Sequence, residues 1–365
     1  ENIIRYKKIK QISNTVIDEF KFKNHFEEGK ILNLSGKQYS GIVEFSSTQT
    51  VNVEEKIRSS KGFDKNLLTD TQRIPVTEDF TEISTYLVNV ENLKNGEIDY
   101  IAPVESKSDL NISDDCIENK YIYLKIENGS IYINGVRISL VDFVDLGDSY
   151  NFGPKSDDNG KVYNIIRSKI VLKTPLRVSL KVDFEGTWDI ISAIISVDKN
   201  STNVHFKFDW TNSQKNHLLN VAFTLRKPIN EVFSEDMNVL IKRNFEPHYN
   251  IRENLPKNRG IEVRNNTAPM QRGLLIDEEN NNLGIVTKGL TQYEVFENIL
   301  YLPILRATGI ISNPQNPART TPAGPPIPVE TLQQIGKNTA EFYVFFGNQN
   351  AFNETLDSVY NYIIT

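Results

Sequence analysis

The chain has 365 residues, 39% hydrophobic and 24% charged, with a formal charge of −6 at pH 7. Single cores stop growing near about 250–300 residues, so two domains are expected. The acidic balance and the scattered lysines and arginines exclude nucleic acid as the main partner. No apolar run approaches the ~20 residues of a membrane span, which argues against a membrane partner.

The chain opens on Glu1 without the charged and apolar regions of a secretory leader, as expected of a fragment of a longer protein. Its one cysteine, Cys116, excludes a disulfide framework and permits a reducing compartment, so a cytoplasmic location is expected. The basic stretch "RYKKIK" at 5–10 reads as a solvated strand or linker edge. "LNLSGKQYSGIVEFSS" (32–47) and residues 81–103 then read as strands of a small β-domain, which with the linker occupies 1–105. A polar boundary, "APVESKSDLNISDD", falls over 103–115.

Strict alternation dominates from there. "YIYLKI" (121–126) sets Ile122, Leu124 and Ile126 on one face. Asn128-Gly129 predicts a type I′ hairpin turn, and Asn134-Gly135 a second one. "PLRVSLKVDF" (175–184), "VHFKFDW" (204–210) and "LLNVAFTLR" (218–226) repeat the pattern and predict half-buried antiparallel strands, with Arg177, Ser179, Lys181 and Asp183 facing out. Residues 106–365 therefore read as one large sandwich of two stacked sheets. "ISNPQNPARTTPAGPPIP" (311–328) carries six prolines and predicts a fixed, functional loop. A closing helix is expected within 351–364, with Asn353 as its N-cap.

Motifs for chemistry are sparse. His25, His205, His217 and His248 lack metal-ligand spacing, and there is no Cys-x-x-Cys, P-loop, Gly-x-Gly-x-x-Gly or Gly-x-Ser-x-Gly. His205 and His217 lie on consecutive predicted strands, where they could meet across a hairpin, although His205 reads better as a surface or hydrogen-bonded residue. Carboxylates flanking Cys116 would raise its thiol pKa and leave it inert. Glycoside hydrolysis needs two carboxylates at fixed separation, and among 47 acidic residues no pair stands out. The segment "VDLGDSYNFGP" (144–154) ties Asp145 and Asp148 to a tyrosine and two glycines. Tyr150 there is either a corner residue whose hydroxyl bonds backbone or a ligand contact.

The order of these segments resembles a known family. "NGSIYINGVRI", "DLGDSYNFGP", "WTNSQKNHLLNVAFTLR", "TAPMQRGLLI", "GIVTKGLTQYEV" and the block Leu302–Gly336, with "LPILRATG" and "ARTTPAGPP", follow one another as in the C-terminal β region of glycoside hydrolase family 38 α-mannosidases. The likeness is to the bacterial branch that includes mannosylglycerate hydrolases, and it covers most of residues 30–345. It implies a mainly β fold with few helices: a small β-sandwich domain (1–105) followed by a large antiparallel β supersandwich of the galactose mutarotase-like kind (106–365), cut at its C-terminus.

The resemblance also implies a missing N-terminal catalytic domain that carries the zinc ion and the aspartate nucleophile of a retaining mechanism. No catalytic residue, metal ligand or cofactor is then expected in this chain. Implied substrate contacts are Tyr150, whose phenol would bond a mannose hydroxyl, Asp148, which would accept a sugar hydroxyl or brace the loop, and Arg306. For Arg306 a buried structural ion pair beneath the Pro-rich loop is the preferred reading on cost; for Arg319 in that loop either role stays open, and it is expected to be the more exposed. Implied partners are a mannose-containing glycan or mannosyl glycoside, the chain's own catalytic domain and, compatibly, further copies of itself. The competing readings are a stand-alone carbohydrate-binding or structural β protein and, third, a lyase or mutarotase-type enzyme needing a histidine pair and a carboxylate.

Overall fold

A computed structural model describes residues 2–23, 30–34, 36–47, 55–61, 82–94, 98–100, 108–113, 116–186, 189–256, 263–276, 282–319, 321–360 and 363–364. His25 and much of the predicted boundary at 103–115 lie outside the described residues. The chain divides into two compact units, one of residues 108–359 and the other of residues 1–107 with 360–365.

The larger unit is two stacked antiparallel sheets. One has ten strands, and at its centre Val136–Val144 pairs with His217–Thr224, which pairs with Ile299–Ala307. The other has nine, with Arg177–Glu185, Ile190–Asp198, Asn203–Asn212 and Gly336–Phe346 side by side. Both predicted hairpin turns are present: Asn128-Gly129 and Asn134-Gly135 all have positive φ, as a type I′ turn demands.

Alternation explains the core, because side chains two apart along a strand share a face. Val136, Ile138, Leu140, Leu219, Val221 and Phe223 of the ten-stranded sheet meet Val178, Leu180, Val182, Phe206, Phe208 and Phe342 of the other in one cluster. Phe342 stacks on Phe206 at 5.0 Å between centroids and meets Phe223 edge-on at 6.0 Å across the sheets. The expected outward set on Arg177–Glu185 departs from the pattern at two places. Ser179 and Asp183 are buried, bonded to Ser196 and Ser192 of the neighbouring strand. Strand His217–Thr224 is buried on both faces, because Val141, Phe143, Phe152, Leu218 and Ala222 form a second apolar cluster on the outer side.

Among its described residues the smaller unit holds two three-stranded sheets. Ile31 of one packs with Val43, Val88, Val90 and Leu93 of the other. The stretch 5–10, expected as a strand or linker edge, lies in an α-helix, Asn2–Lys23. Ile9, Ile12 and Val16 give that segment the i, i+3, i+7 spacing of a helix rather than the alternation of a strand. The closing helix is Gln349–Val359, earlier than expected. Asn348 caps it rather than Asn353, its Oδ1 accepting from the backbone N–H of Asn350 and Ala351. Ile363–Ile364 is then a strand on Lys30–Asn33.

Candidate functional site

The turn after strand Val136–Val144 is built around two buried carboxylates. Asp145 Oδ1 accepts from the N–H of Gly147 at 2.8 Å and of Gly153 at 2.9 Å, closing the turn on itself. The two glycines permit the close approach. A Cβ on Gly147 would lie 2.1 Å from the Asn151 carbonyl, and one on Gly153 2.4 Å from the Gly147 nitrogen. Asp145 Oδ2 accepts from Arg306 Nε at 2.8 Å, and Arg306 Nη2 donates to the Asp148 carbonyl at 2.6 Å.

Asp148 is 0% exposed, and both its oxygens are fully engaged within the protein. Oδ1 accepts from the N–H of Tyr150 and Asn151 at 3.0 and 3.1 Å. Oδ2 accepts from the Asn313 N–H at 2.7 Å and from Arg319 Nη2. Burial alone would raise this carboxyl, but those amides and the Arg319 guanidinium outweigh it and hold it below the usual carboxylate range.

Arg319 reaches Asp148 because the Pro-rich loop folds back over the turn. The loop is closed at its base by Ile310 against Pro328 and by the Ile311 N–H on Ile327 O at 2.9 Å. It carries a polar interior of its own, Ser312, Asn316 and Arg319. Asn313 Nδ2 donates to Leu146 O at 2.9 Å, Arg319 Nε to Thr321 O at 2.8 Å, and Arg319 Nη1 to Asn151 Oδ1. The expected order of exposure is thereby reversed. Arg319 is 5% exposed and Arg306 23%, since the loop covers the first while the second sits at a strand end.

On top of this brace stands Tyr150. It is 55% exposed, and among the described residues its hydroxyl bonds no backbone group. The Arg319 guanidinium lies over its ring, 5.6 Å from the centroid. Gly324 leaves room for the hydroxyl, since a Cβ there would approach it to 3.1 Å. Of the three residues singled out in the sequence as substrate contacts, Tyr150 and Asp148 lie in the turn and Arg306 reaches it from the end of strand Ile299–Ala307. Tyr150 faces solvent, Asp148 has no face toward it, and Arg306 is taken up by its ion pair. Arg319, Asn313 and the base of the turn at Asp145 complete the arrangement; a loop rich in Pro and Asn, whose side chains cap loop amides, was the signal for the first two.

The histidines do not meet. His205 stands on the face of the nine-stranded sheet opposite the core, stacked on Tyr343 at 4.4 Å and bonded through Nε2 to Glu341 at 3.0 Å. His217 points into the sandwich and is 1% exposed. Its two ring nitrogens are spent on Asp142 and Asn212. Among the described residues no group of three or more His, Cys, Asp or Glu could hold a metal ion, and no helix is long and apolar enough to cross a membrane. Burial, and then Glu118, push the Cys116 thiol up, away from the reactive thiolate form.

Two large antiparallel sheets, stacked face to face and crowned at one end by a braced turn, define a β-sandwich. The particular likeness is to two structures from Enterococcus faecalis. An alpha-mannosidase superposes with a TM-score of 0.70 at 15% identity, over 97% of this chain and 49% of that one. A protein in the Glycosyl Hydrolase Family 38 superposes with a TM-score of 0.64 at 15% identity, over 91% of this chain and 47% of that one. The chain thus spans about half the length of the structures it matches, and at this identity the likeness is one of fold. No protein-family model and no curated protein sequence matches it.

Proposed function

We propose that this chain is the C-terminal β region of a retaining α-mannosidase of the glycoside hydrolase family 38 kind, from its bacterial branch. In this reading the zinc ion and the nucleophile belong to an N-terminal catalytic domain outside the chain. The chain's part is to shape and complete that site. Tyr150 contacts the sugar, and Asp148 and Arg306 hold it in place. The partners are that catalytic domain and a mannosyl glycoside or mannose-containing glycan; assembly with further copies of the chain, in the cytoplasm, belongs to the same proposal.

The observation that carries the reading is the exposed Tyr150 hydroxyl, without a partner among the described residues, on a turn held by two ion pairs of little exposure. Desolvating ion pairs to fix a backbone is costly, and the position fixed here presents one phenol to solvent. A phenol offers one donor, acceptor capacity and a flat apolar face for a pyranose ring.

Hydrolysis of p-nitrophenyl α-mannoside with added zinc tests it, using the chain alone beside the full-length gene product. Activity is expected only in the full-length protein, and there Tyr150→Phe should cost about two- to tenfold in rate, one hydrogen bond's worth. Activity of the chain alone that survives a chelator would overturn the reading. Activity in neither would favour a stand-alone carbohydrate-binding or structural protein.

A further inference from the structure

Aspartates recur every third residue in "DFVDLGD" (142–148), and all three, Asp142, Asp145 and Asp148, are buried. Asp145 and Asp148 face arginines from two other segments, and Asp142 faces His217. Asp142 continues the inward alternation of Val136, Ile138 and Leu140, and His217 that of Leu219, Val221 and Phe223. The two therefore meet on the inner face of the ten-stranded sheet at its end. Asn212 continues the inward set Val204, Phe206, Phe208 and Trp210 of the nine-stranded sheet and reaches the same place.

The hydrogen bonds fix the protons. Asn212 Nδ2 donates to the carbonyls of Gln333 at 3.0 Å and Gln334 at 3.3 Å, and its Oδ1 accepts from the Gln214 N–H at 3.0 Å. The amide is thereby oriented with its oxygen toward His217 Nε2, 3.1 Å away, and that nitrogen must donate. Nδ1 faces both oxygens of Asp142 at 2.9 and 3.1 Å. A neutral ring donating from Nε2 would turn a lone pair on that carboxylate. A second carboxylate, Asp189, accepts from Tyr163 Oη at 2.9 Å beside it, and its Oδ2 is buried without a partner among the described residues. The Tyr163 phenol is driven up by burial and then by the charges of Asp142 and Asp189, and burial pushes the Asp189 carboxyl up as well.

We infer that His217 is held as a buried imidazolium, the third cation of the ladder, and acts as a positioning residue for the Tyr150 turn. The segment before it completes the connection. Asn216 O accepts the Asp145 N–H at 2.9 Å, and Asn216 is clasped by Gln333 through bonds of 2.9 and 2.7 Å. The ionic pair therefore pins the strand end from which the turn springs. The positioning role rests on the proposed sugar contact of Tyr150, whereas the protonation state does not.

Ring nitrogen–proton correlation spectra of the histidine-labelled full chain, with His217 assigned by its loss in His217→Gln, test the first part. Two protonated ring nitrogens are expected, and an unprotonated Nδ1 overturns the inference. Asp142→Asn keeps a bond, because the new amide can donate to Nδ1 of a neutral ring, so the spectrum should change to one protonated nitrogen in a folded protein. In that variant the Tyr150 and Asn151 amides should exchange about tenfold faster, as a charge-assisted bond becomes a neutral one, while core amides such as Phe206 keep their protection. Turn and core amides changing together, or neither changing, would overturn the positioning role. Loss of the sugar-contact reading, seen as an unchanged rate for Tyr150→Phe, would leave both spectra as expected.

Discussion

Arg319 donates to Asp148 at a place where neither side chain reaches water, the first being 5% and the second 0% exposed. A pair desolvated this far cannot be broken cheaply, since removing one partner strands the other charge. Arg319→Met should therefore destabilise the larger unit by about 3–5 kcal/mol. Asp148→Asn should cost a comparable amount, since it leaves the Arg319 charge buried and turns an amide donor toward other donors, and Tyr150→Phe should leave stability unchanged because among the described residues its hydroxyl has no partner to lose. Urea melts of the three variants check the ranking; equal losses in all three would refute it.

The same carboxylate makes the turn sensitive to acid in a defined direction. Asp148 titrates below its ordinary value in the folded chain. Its contribution is therefore complete above the unfolded value of about pH 4 and is lost as pH falls through the lowered folded value. Ring resonances of Tyr150 followed downward from pH 7 should hold constant to about pH 4 and shift only below it. A shift centred between pH 5 and 7 would assign the turn's stability to some other group.

Gly147 is needed for a reason independent of charge. A methyl group there would meet the Asn151 carbonyl at 2.1 Å and the Gly153 nitrogen at 2.5 Å, both of them backbone. Gly147→Ala should thus open the turn and cost about 1–3 kcal/mol, the range of overpacking. A crystal structure of the variant should show Tyr150 displaced; an unmoved turn would contradict the tight packing described.

Local signals made the strands legible. Asn-Gly pairs announced both hairpin turns, and alternation placed Leu176, Val178, Leu180 and Val182 in the core, where all four are buried. Helix Asn2–Lys23 was harder to see, because its lysines cluster at 7–10 and suggest a charged edge, while its signal is the weak spacing of Ile9, Ile12 and Val16. The site was half legible. Tyr150 and the two glycines stand out in sequence, yet the burial of Arg319 depends on where an 18-residue loop lands, which no local pattern encodes. The pairing of Asp142 with His217 was hidden for a related reason: the partners lie 75 residues apart, and no local pattern joins them.

Glu341 offers a last test, away from the turn. It sits on the outer face of the nine-stranded sheet, where its Oε1 accepts from His205 Nε2 at 3.0 Å, Lys288 Nζ at 2.7 Å and Tyr343 Oη at 3.3 Å. Burial opposes its ionisation, but His205 and Lys288 outweigh it and bring its pKa down to about 2. A lowered folded value means stability present above the unfolded pKa of about 4.3 and lost as pH falls from there through 2. With part of the side chain open to solvent, screening trims the effect to about 1–2 kcal/mol. Glu341→Gln should therefore lower stability at pH 7 by that amount and flatten the acid limb of the stability profile between about pH 4 and 2. If the variant keeps the wild-type slope there, the three donors contribute no net stabilisation and the pair is a surface contact only.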